Sequence, residues 1–274
     1  MDSIVFVKLG GSVLTDKSTP YTPRPAVIER VAAEVARAWP SVQGRLVLGH
    51  GSGSFGHVAA QGTNLGASEG PVNAAALSKI QHAARQLHRR VLDALREEGL
   101  PVVSFAPSSA LVTDQGRPAS LQAEPVWQAL DLGALPVTLG DVTLDRTQGG
   151  AICSTETILH ELIRSLQAED RSVRAALWFG NTTGVYGETG NCLDTIAAGA
   201  AGEVLAATGT SGAPDVTGGM RHRLETALAL ARRGVPSLIA SADVSGRLER
   251  ALRDEKVPGT WVLPDEERQP PVRS

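Results

Sequence analysis

The sequence predicts a three-layer α/β/α sandwich with a mainly parallel central sheet, folded as a single domain over residues 1–274. Several short apolar runs rich in β-branched residues end in glycine-containing loops and are followed by amphipathic helical patterns. Near-continuous apolar runs are typical of strands buried on both faces of a parallel sheet. Strands that alternate with helices indicate that helices cover both faces of that sheet.

Six segments are predicted as strands of this sheet. Each is a short apolar run, and the first two lead directly into glycine-rich turns. The predicted strands are residues 4–9, 45–49, 101–105, 135–139, 175–179 and 236–240.

Four segments are predicted as amphipathic helices. Pro25 suits the first turn of one helix, and Asn73 is the predicted N-cap of the longest. The longest helix places Leu77, Ile80, Ala84, Leu87, Val91 and Leu95 on one face. The helices are predicted over residues 25–38, 73–98, 157–167 and 220–233. Three histidines on these helices, His82, His88 and His160, are predicted to lie at the surface.

The composition excludes several classes of protein. With 274 residues, 42% of them hydrophobic, the chain can bury one substantial core. The net charge of −3 argues against a nucleic-acid or membrane-surface binder. No apolar run is long enough to span a membrane, and no signal peptide is recognisable. Cys153 and Cys192 lack partners at metal-binding spacing, so we expect no protein-held metal site and a cytoplasmic location.

Three glycine turns indicate phosphate binding. Loops after the carboxyl ends of parallel strands form the ligand crevice, and glycine lets backbone N–H groups approach phosphate oxygens. The turns are Gly10-Gly11-Ser12, residues 51–56 and Gly218-Gly219. Each turn has basic or histidine neighbours, namely Lys8 and Lys17, His50 and His57, and Arg221, His222 and Arg223.

Neither standard nucleotide signature is complete. Residues 51–56 fit G-x-G-x-x-G, but a dinucleotide site also needs an acidic residue at the end of a second strand about 20 positions on. Glu69, the nearest candidate, follows no predicted strand. The P-loop pattern G-x-x-x-x-G-K-[ST] does not occur. The sequence therefore predicts phosphate binding by another arrangement.

Six motifs carry a resemblance to a known family. Lys8-Leu9-Gly10-Gly11-Ser12, with Thr15-Asp16-Lys17, resembles the opening of the amino acid kinase superfamily. The segment at 50–57, which ends in S-F-G-H, is similar to that of isopentenyl phosphate kinases, with a close variant in fosfomycin kinases. The later motifs, at 140–142, 184–186 and 215–220, continue in family order, so the resemblance spans about residues 4–250.

The resemblance implies that the chain phosphorylates isopentenyl phosphate with ATP, giving isopentenyl diphosphate. It implies Mg²⁺ as cofactor, a small phosphorylated substrate and a homodimer. The N-terminal half, about residues 1–150, would bind the acceptor, and residues 151–263 would bind the nucleotide. Residues 264–274 are polar and are expected to form a flexible tail.

By the same resemblance, Lys8, Lys17 and His57 are the catalytic candidates. Lys8 would contact the ATP phosphates, Lys17 would stabilise the transition state, and His57 would bind the acceptor phosphate. Because that phosphate is largely dianionic at neutral pH, its oxygen attacks without a general base. Ser52 and Gly140 join His57 as substrate-binding candidates. The ATP-binding candidates are Lys8, Gly10, Gly11, Ser12, Gly53, Glu156, Gly219 and Arg223.

Three segments depart from the family pattern and leave alternatives open. Residues 154–157 replace S-G-D-D, residues 181–184 replace D-x-D-G, and Arg223 replaces a lysine. A fosfomycin-type phosphonate kinase and a weakly catalytic nucleotide-binding regulator are the alternatives. Apolar and small side chains in the 73–98 helix favour an isoprenoid tail over a phosphonate. Retention of Lys8, Lys17 and His57 argues against a decayed enzyme.

Overall fold

A computed structural model of the chain describes residues 3–16, 18–63, 72–187, 189–200, 218–265 and 271. The strands are β1 (Ile4–Leu9), β2 (Leu46–His50), β3 (Val102–Ser104), β4 (Leu111–Asp114), β5 (Arg117–Leu121), β6 (Leu135–Leu139), β7 (Asp141–Asp145), β8 (Gly149–Cys153), β9 (Val173–Gly180), β10 (Thr195–Ala197), β11 (Ser237–Ser241) and β12 (Thr260–Leu263). The α-helices are α1 (Gly11–Leu14), α2 (Pro25–Val42), α3 (Gly53–Ala60), α4 (Ala74–Glu97), α5 (Pro107–Ala110), α6 (Glu124–Asp131), α7 (Thr155–Ala168), α8 (Gly218–Ala231) and α9 (Arg247–Leu252). A short 3₁₀ turn follows β10 over Ala198–Ala200.

Eight strands form the central sheet in the order β10-β12-β11-β9-β1-β2-β6-β3. The strands from β11 to β3 are mutually parallel, whereas β12 pairs antiparallel with β11, and β10 runs parallel to β12. The predicted mainly parallel sheet is therefore confirmed. β12 and β10 run opposite to the other six strands and extend one edge of the sheet.

Helices cover both faces of this sheet and give it two hydrophobic cores. Alternation along β1 sends Val7 and Leu9 into a core with α2, α4 and α9. It sends Ile4 and Phe6 to the opposite face, where α6, α7 and α8 pack. The predicted three-layer α/β/α sandwich is confirmed. By the same alternation, Lys8 points to the face that α7 covers.

Several sequence-predicted elements have the expected boundaries. β1 and β6 match the predicted residues, and α4 begins directly after Asn73, whose side chain accepts a hydrogen bond from the N–H of Ala75 at 2.8 Å. The cap is therefore confirmed. α2 continues past the predicted end to Val42 and includes Pro40. None of the helices within the described residues is both long and apolar enough to cross a membrane.

A second, smaller sheet has no counterpart in the sequence prediction. It has the order β5-β4-β7-β8, with β7 and β8 forming an antiparallel hairpin. β4 and β5 are short and partly polar, so they lack the apolar runs that marked the central strands. A single residue, Gly140, separates the end of β6 from the start of β7.

Two histidines form a buried pair between β2 and α4, and the surface prediction for His88 is wrong. His50 has no exposed surface, and His88 is 3% exposed. The Nε2 atom of His50 lies 2.9 Å from Nδ1 of His88, and the rings stack with centroids 5.1 Å apart. His88 shares a helical face with Ala84 and Val91, and this places it in the core.

The buried pair predicts how the free energy of unfolding depends on pH. Burial lowers the pKa of His50 from 6.5 to about 4. Burial, with the charges of His50, Arg85 and Arg96, lowers the pKa of His88 from 6.5 to about 2. Below pH 6.5, these two histidines therefore bind protons in the unfolded chain but stay neutral in the folded chain. We expect the free energy of unfolding to fall as the pH drops from 6.5 towards 4.

Denaturant titrations of the wild type and of His88→Asn at several pH values check this. Asparagine does not titrate, so the variant should lose stability with falling pH less steeply, by up to about 1.4 kcal/mol per pH unit. His82→Asn is the matched control on the exposed face of α4, and it should follow the wild type. Equal pH slopes for His88→Asn and the wild type would contradict the prediction.

Candidate active site

Three adjacent strands of the central sheet end at one large cavity. β9, β1 and β2 lie side by side, and their carboxyl ends are at Gly180, Leu9 and His50. The cavity has a volume of about 1050 Å³. Parallel sheets bind ligands at this edge. The described residues lining the cavity are Lys8, Gly10, Gly11, Ser12, Thr15, Asp16, Arg24, Gly51, Gly53, Ser54, His57, Val58, Asn181, Met220 and Arg223.

Lys8 lies at the floor of this cavity in a buried ion pair. Its ammonium group donates a hydrogen bond to Oε1 of Glu156, in the first turn of α7, and both residues are less than a tenth exposed. Burial lowers the pKa of the Lys8 ammonium, and Glu156 opposes that shift. Burial alone would raise the pKa of Glu156, but the charge and hydrogen bond of Lys8 hold it below its ordinary value. Glu156 lies behind Lys8 rather than on the cavity wall.

Arg223 adds a second buried cation beside this pair. It comes from the first turns of α8, and its charge lowers the pKa of both Lys8 and Glu156. Its guanidinium group packs against the last residue of β9, because a Cβ built at Gly180 would lie 2.6 Å from Nη1 of Arg223. The missing side chain of Gly180 therefore makes room for Arg223 at the cavity.

The first two glycine turns touch each other. A Cβ built at Gly11 would lie 2.3 Å from the backbone nitrogen of Gly53, and Gly53 itself has a φ of +54°. Only glycine fits both positions. Thr15 ties the two turns together, since its hydroxyl donates to the carbonyl of Gly11 at 2.8 Å and accepts from the N–H of Ser54 at 3.0 Å.

The expected loop at residues 51–56 is largely helical, which corrects the sequence interpretation. α3 begins at Gly53, so Ser54 and Gly56 belong to its first turn. A Cβ at Gly56 would lie 2.1 Å from Oγ of Ser52, so the Ser52 side chain packs over Gly56 and not on the cavity wall. His57 is exposed on α3 and lines the cavity.

Ser12 and Asn181 connect the two halves of the cavity wall. Oγ of Ser12 donates a hydrogen bond to Oδ1 of Asn181 at 2.7 Å, and Nδ2 of Asn181 donates to the Ser12 carbonyl at 3.4 Å. Asn181 is the first residue of the segment 181–184, which replaces D-x-D-G in the resemblance given by the sequence. The altered loop after β9 therefore still reaches the cavity, with an amide in place of a carboxylate.

The remaining sequence-predicted residues lie around this arrangement. Gly140 is buried under the second glycine turn, and a Cβ there would lie 3.4 Å from the backbone nitrogen of Ser52. Gly219 lies in the first turn of α8, whose next residue, Met220, lines the cavity. Lys17 lies outside the described residues.

Two charged residues on the rim of the cavity have no site role in the sequence analysis, although one of them, Asp16, belongs to a quoted motif. Arg24 is the N-cap residue of α2, and Asp16 follows the first glycine turn. Hydrogen bonds from the hydroxyl and N–H of Ser18 hold the pKa of Asp16 below its ordinary value. No motif marked Arg24. The Arg-Pro step before a helical pattern was read only as a helix start.

The helix that was expected to favour an isoprenoid tail does not reach the cavity with its buried face. Ile80, Ala83, Ala84 and Leu87 are buried, and the described cavity lining includes no residue of α4. The described cavity lining therefore gives no support for an apolar wall on this helix, and the expectation that it favours an isoprenoid tail stays a prediction. Among the described residues, the apolar side chains that line the cavity are Val58 and Met220.

The chain belongs to the amino acid kinase family. The model of that family matches residues 3–241, which include β1, all three glycine turns and Arg223. The motif order that suggested this family in the sequence is thus supported over most of the chain.

Within this family, the chain is similar to proteins named isopentenyl phosphate kinase. That of Methanothermobacter thermautotrophicus is 33% identical over 94% of this chain and 98% of its own length. That of Haloferax volcanii is 35% identical over 83% of this chain and 88% of its own. A crystal structure of an isopentenyl phosphate kinase superposes with a TM-score of 0.77 at 30% identity and covers 94% of this chain and 99% of that one.

Proposed function

We propose that the chain transfers the γ-phosphoryl group of ATP to isopentenyl phosphate, giving isopentenyl diphosphate and ADP. One observation carries the proposal: a single cavity brings together Lys8, two touching glycine turns, His57 and Arg223. Phosphoryl transfer needs positioned cations and backbone N–H groups more than it needs covalent chemistry. The names of the relatives supply the acceptor.

Lys8 is the proposed cation for the transferred phosphoryl group. A buried ammonium is positioned without reorganisation and acts in a site of low dielectric constant. Glu156 would hold that ammonium in place by the hydrogen bond described above. We propose that Glu156 acts through Lys8. This role differs from the direct contact with ATP that the resemblance implies for Glu156.

The other predicted residues divide between the two substrates. Arg223, Ser12 and the N–H groups of the glycine turns, including Gly219, would bind the phosphates of ATP. His57 would bind the phosphate of the acceptor, with Ser52 and Gly140 supporting the turn beside it. Lys17 remains proposed as the cation that stabilises the transition state.

We propose that Mg²⁺ enters with ATP and is held mainly by its phosphate oxygens. Mg²⁺ commonly binds to proteins through one or two carboxylates plus substrate phosphates. Among the described residues lining the cavity, Asp16 would supply such a carboxylate. Bound Mg²⁺ would neutralise charge on the phosphates that approach each other.

The proposed division of the chain is the one that the family resemblance implies. Residues up to about 150 supply Lys8, His57 and both touching glycine turns, and residues 151–263 supply Glu156, Asn181 and Arg223. We propose that the first part holds the acceptor and the second the nucleotide, with residues 264–274 as a tail. A cytoplasmic homodimer completes the proposal, and light scattering on the purified protein tests the dimer.

A coupled ADP-release assay over a panel of acceptors tests the proposed function. The panel contains isopentenyl phosphate, dimethylallyl phosphate, fosfomycin and simple nucleotides. We expect the highest kcat/KM with isopentenyl phosphate. A preference for fosfomycin, or ADP release that no acceptor stimulates, would contradict the proposal.

Arg223 provides a further prediction. Loss of a hydrogen bond to a charged group is worth about 1.5–3 kcal/mol, so Arg223→Ala should lower kcat/KM by about tenfold to a hundredfold. Arg223→Lys should retain a substantial fraction, because it keeps the positive charge although it loses the planar fork. Steady-state kinetics with both substrates measure this.

Arg221→Ala is the matched control on the same helix. Arg221 is exposed and pairs with Glu225, so its loss should leave the kinetics unchanged. If Arg223→Ala proved as active as Arg221→Ala, Arg223 would be a structural residue packed against Gly180, and another cation would contact ATP.

A further inference from the structure

Four groups form a hydrogen-bond chain from the protein surface to the second glycine turn. Oγ of Ser104, an exposed residue, lies 2.8 Å from Nε2 of His88. Nδ1 of His88 lies 2.9 Å from Nε2 of His50, and Nδ1 of His50 lies 3.1 Å from the carbonyl oxygen of Gly51. We call Ser104, His88, His50 and this carbonyl the histidine chain.

The inner end of the histidine chain fixes the direction of every hydrogen bond in it. A carbonyl oxygen can only accept, so Nδ1 of His50 carries the proton and its Nε2 must accept. Nδ1 of His88 therefore donates to His50, and Nε2 of His88 accepts from the hydroxyl of Ser104. Because burial keeps both imidazoles neutral at neutral pH, each ring carries one proton.

The carbonyl at the end of the chain belongs to a tightly constrained peptide. A Cβ built at Gly51 would lie 2.7 Å from the backbone nitrogen of Gly11, so the two glycine turns are in contact here. The peptide between Gly51 and Ser52 is trans, so its C=O and N–H point in opposite directions. With the carbonyl held towards His50, the N–H of Ser52 is turned away from the buried rings.

We infer that His88 is a positioning residue for phosphotransfer, acting through His50 to hold the Gly51 peptide and with it the glycine turn at the cavity. This inference rests on the proposed function, because it assigns the turn to phosphate binding. His88 does not touch the cavity itself. Its nearest functional contact is two hydrogen bonds away, at Gly51.

Two substitutions at His88 separate the hydrogen bond from the bulk of the ring. In His88→Asn, the side-chain amide takes the place of Nδ1 and can still donate to His50. In His88→Gln, the amide reaches towards Ser104 and leaves Nε2 of His50 without a donor. Both variants are polar and uncharged. His82→Gln, on the exposed face of α4, is the control.

Steady-state kinetics then test the positioning role. We expect His88→Gln to lower kcat by about tenfold with little change in either KM, since the loss of one hydrogen bond leaves a buried acceptor unpaired. His88→Asn should recover most of that loss, and His82→Gln should match the wild type. Full kcat in a folded His88→Gln, or equal losses in His88→Gln and His88→Asn, would overturn the inference.

A spectroscopic measurement stands independently of activity. Nitrogen-15 spectra of the wild-type imidazoles should show His50 and His88 each protonated on Nδ1 at neutral pH. The amide signals of Ser52 and Gly53 should shift in His88→Gln and stay near their wild-type positions in His88→Asn. A proton on Nε2 of His50, or unshifted amides in His88→Gln, would refute the histidine chain. If isopentenyl phosphate were not a substrate, the proposed function would be wrong. These spectra would still show whether the hydrogen bonds of the histidine chain exist.

Discussion

Replacing Lys8 with methionine is expected to remove almost all phosphotransfer and to destabilise the fold. Loss of one preorganised donor to the developing charge costs about a hundredfold to a thousandfold in kcat. Loss of one partner of a buried ion pair also leaves Glu156 with only the nearby charge of Arg223 to offset its burial, and breaking such a pair costs about 3–5 kcal/mol of folding free energy. Product formation and denaturant unfolding measure the two effects separately.

The double variant Lys8→Met/Glu156→Gln distinguishes stability from catalysis. Removing both charges should restore much of the folding free energy, because neither member of the Lys8–Glu156 ion pair is then buried without the other. It should not restore kcat. Lys79→Met, at an exposed position of α4, serves as the control for the substitution itself. Recovery of activity in the double variant would mean that Lys8 serves only to neutralise Glu156.

Replacing His57 with alanine is expected to lower kcat/KM for isopentenyl phosphate by at least about tenfold, the value of a hydrogen bond to a charged group. The effect should fall on the acceptor, because His57, which lines the cavity on α3, is the residue proposed to bind the acceptor phosphate. The KM for ATP should change little. Initial rates over a matrix of both substrate concentrations measure this division.

His82→Ala is the control for His57→Ala, since His82 is an exposed helical histidine outside the cavity lining. It should have wild-type kinetics. A His57→Ala variant with full kcat/KM for isopentenyl phosphate would show that another group holds the acceptor phosphate. An increase confined to the KM for ATP would show that His57 binds the nucleotide and not the acceptor.

The central part of the fold could be predicted from the sequence because its signals are local. A continuous apolar run such as Ile4–Leu9 marks a strand buried on both faces, and Asn73 marks the start of α4. The smaller sheet could not be predicted, since β4 and β5 are short and partly polar and are stabilised by pairing with distant strands. α3 could not be predicted either, because its first residues are rich in glycine and serine, a composition typical of loops.

The candidate site was predictable where a residue type is unusual in its local context. Lys8 in an apolar strand required a buried partner, and Glu156 is that partner. Arg24 and the link between Ser12 and Asn181 depend on tertiary contacts that leave no local pattern. His88 did leave a signal, because it continues the apolar face of α4, but a histidine among arginines was read as a surface residue.

The most direct test of the account is the identity of the product. Phosphorus NMR of a reaction containing the protein, ATP, Mg²⁺ and isopentenyl phosphate should show the monophosphate signal replaced by the two coupled signals of a diphosphate, with one ADP formed per diphosphate. The same mixture with Lys8→Met should show neither change. ATP consumed without a new diphosphate, or a phosphorylated fosfomycin formed faster than isopentenyl diphosphate, would contradict the proposed function.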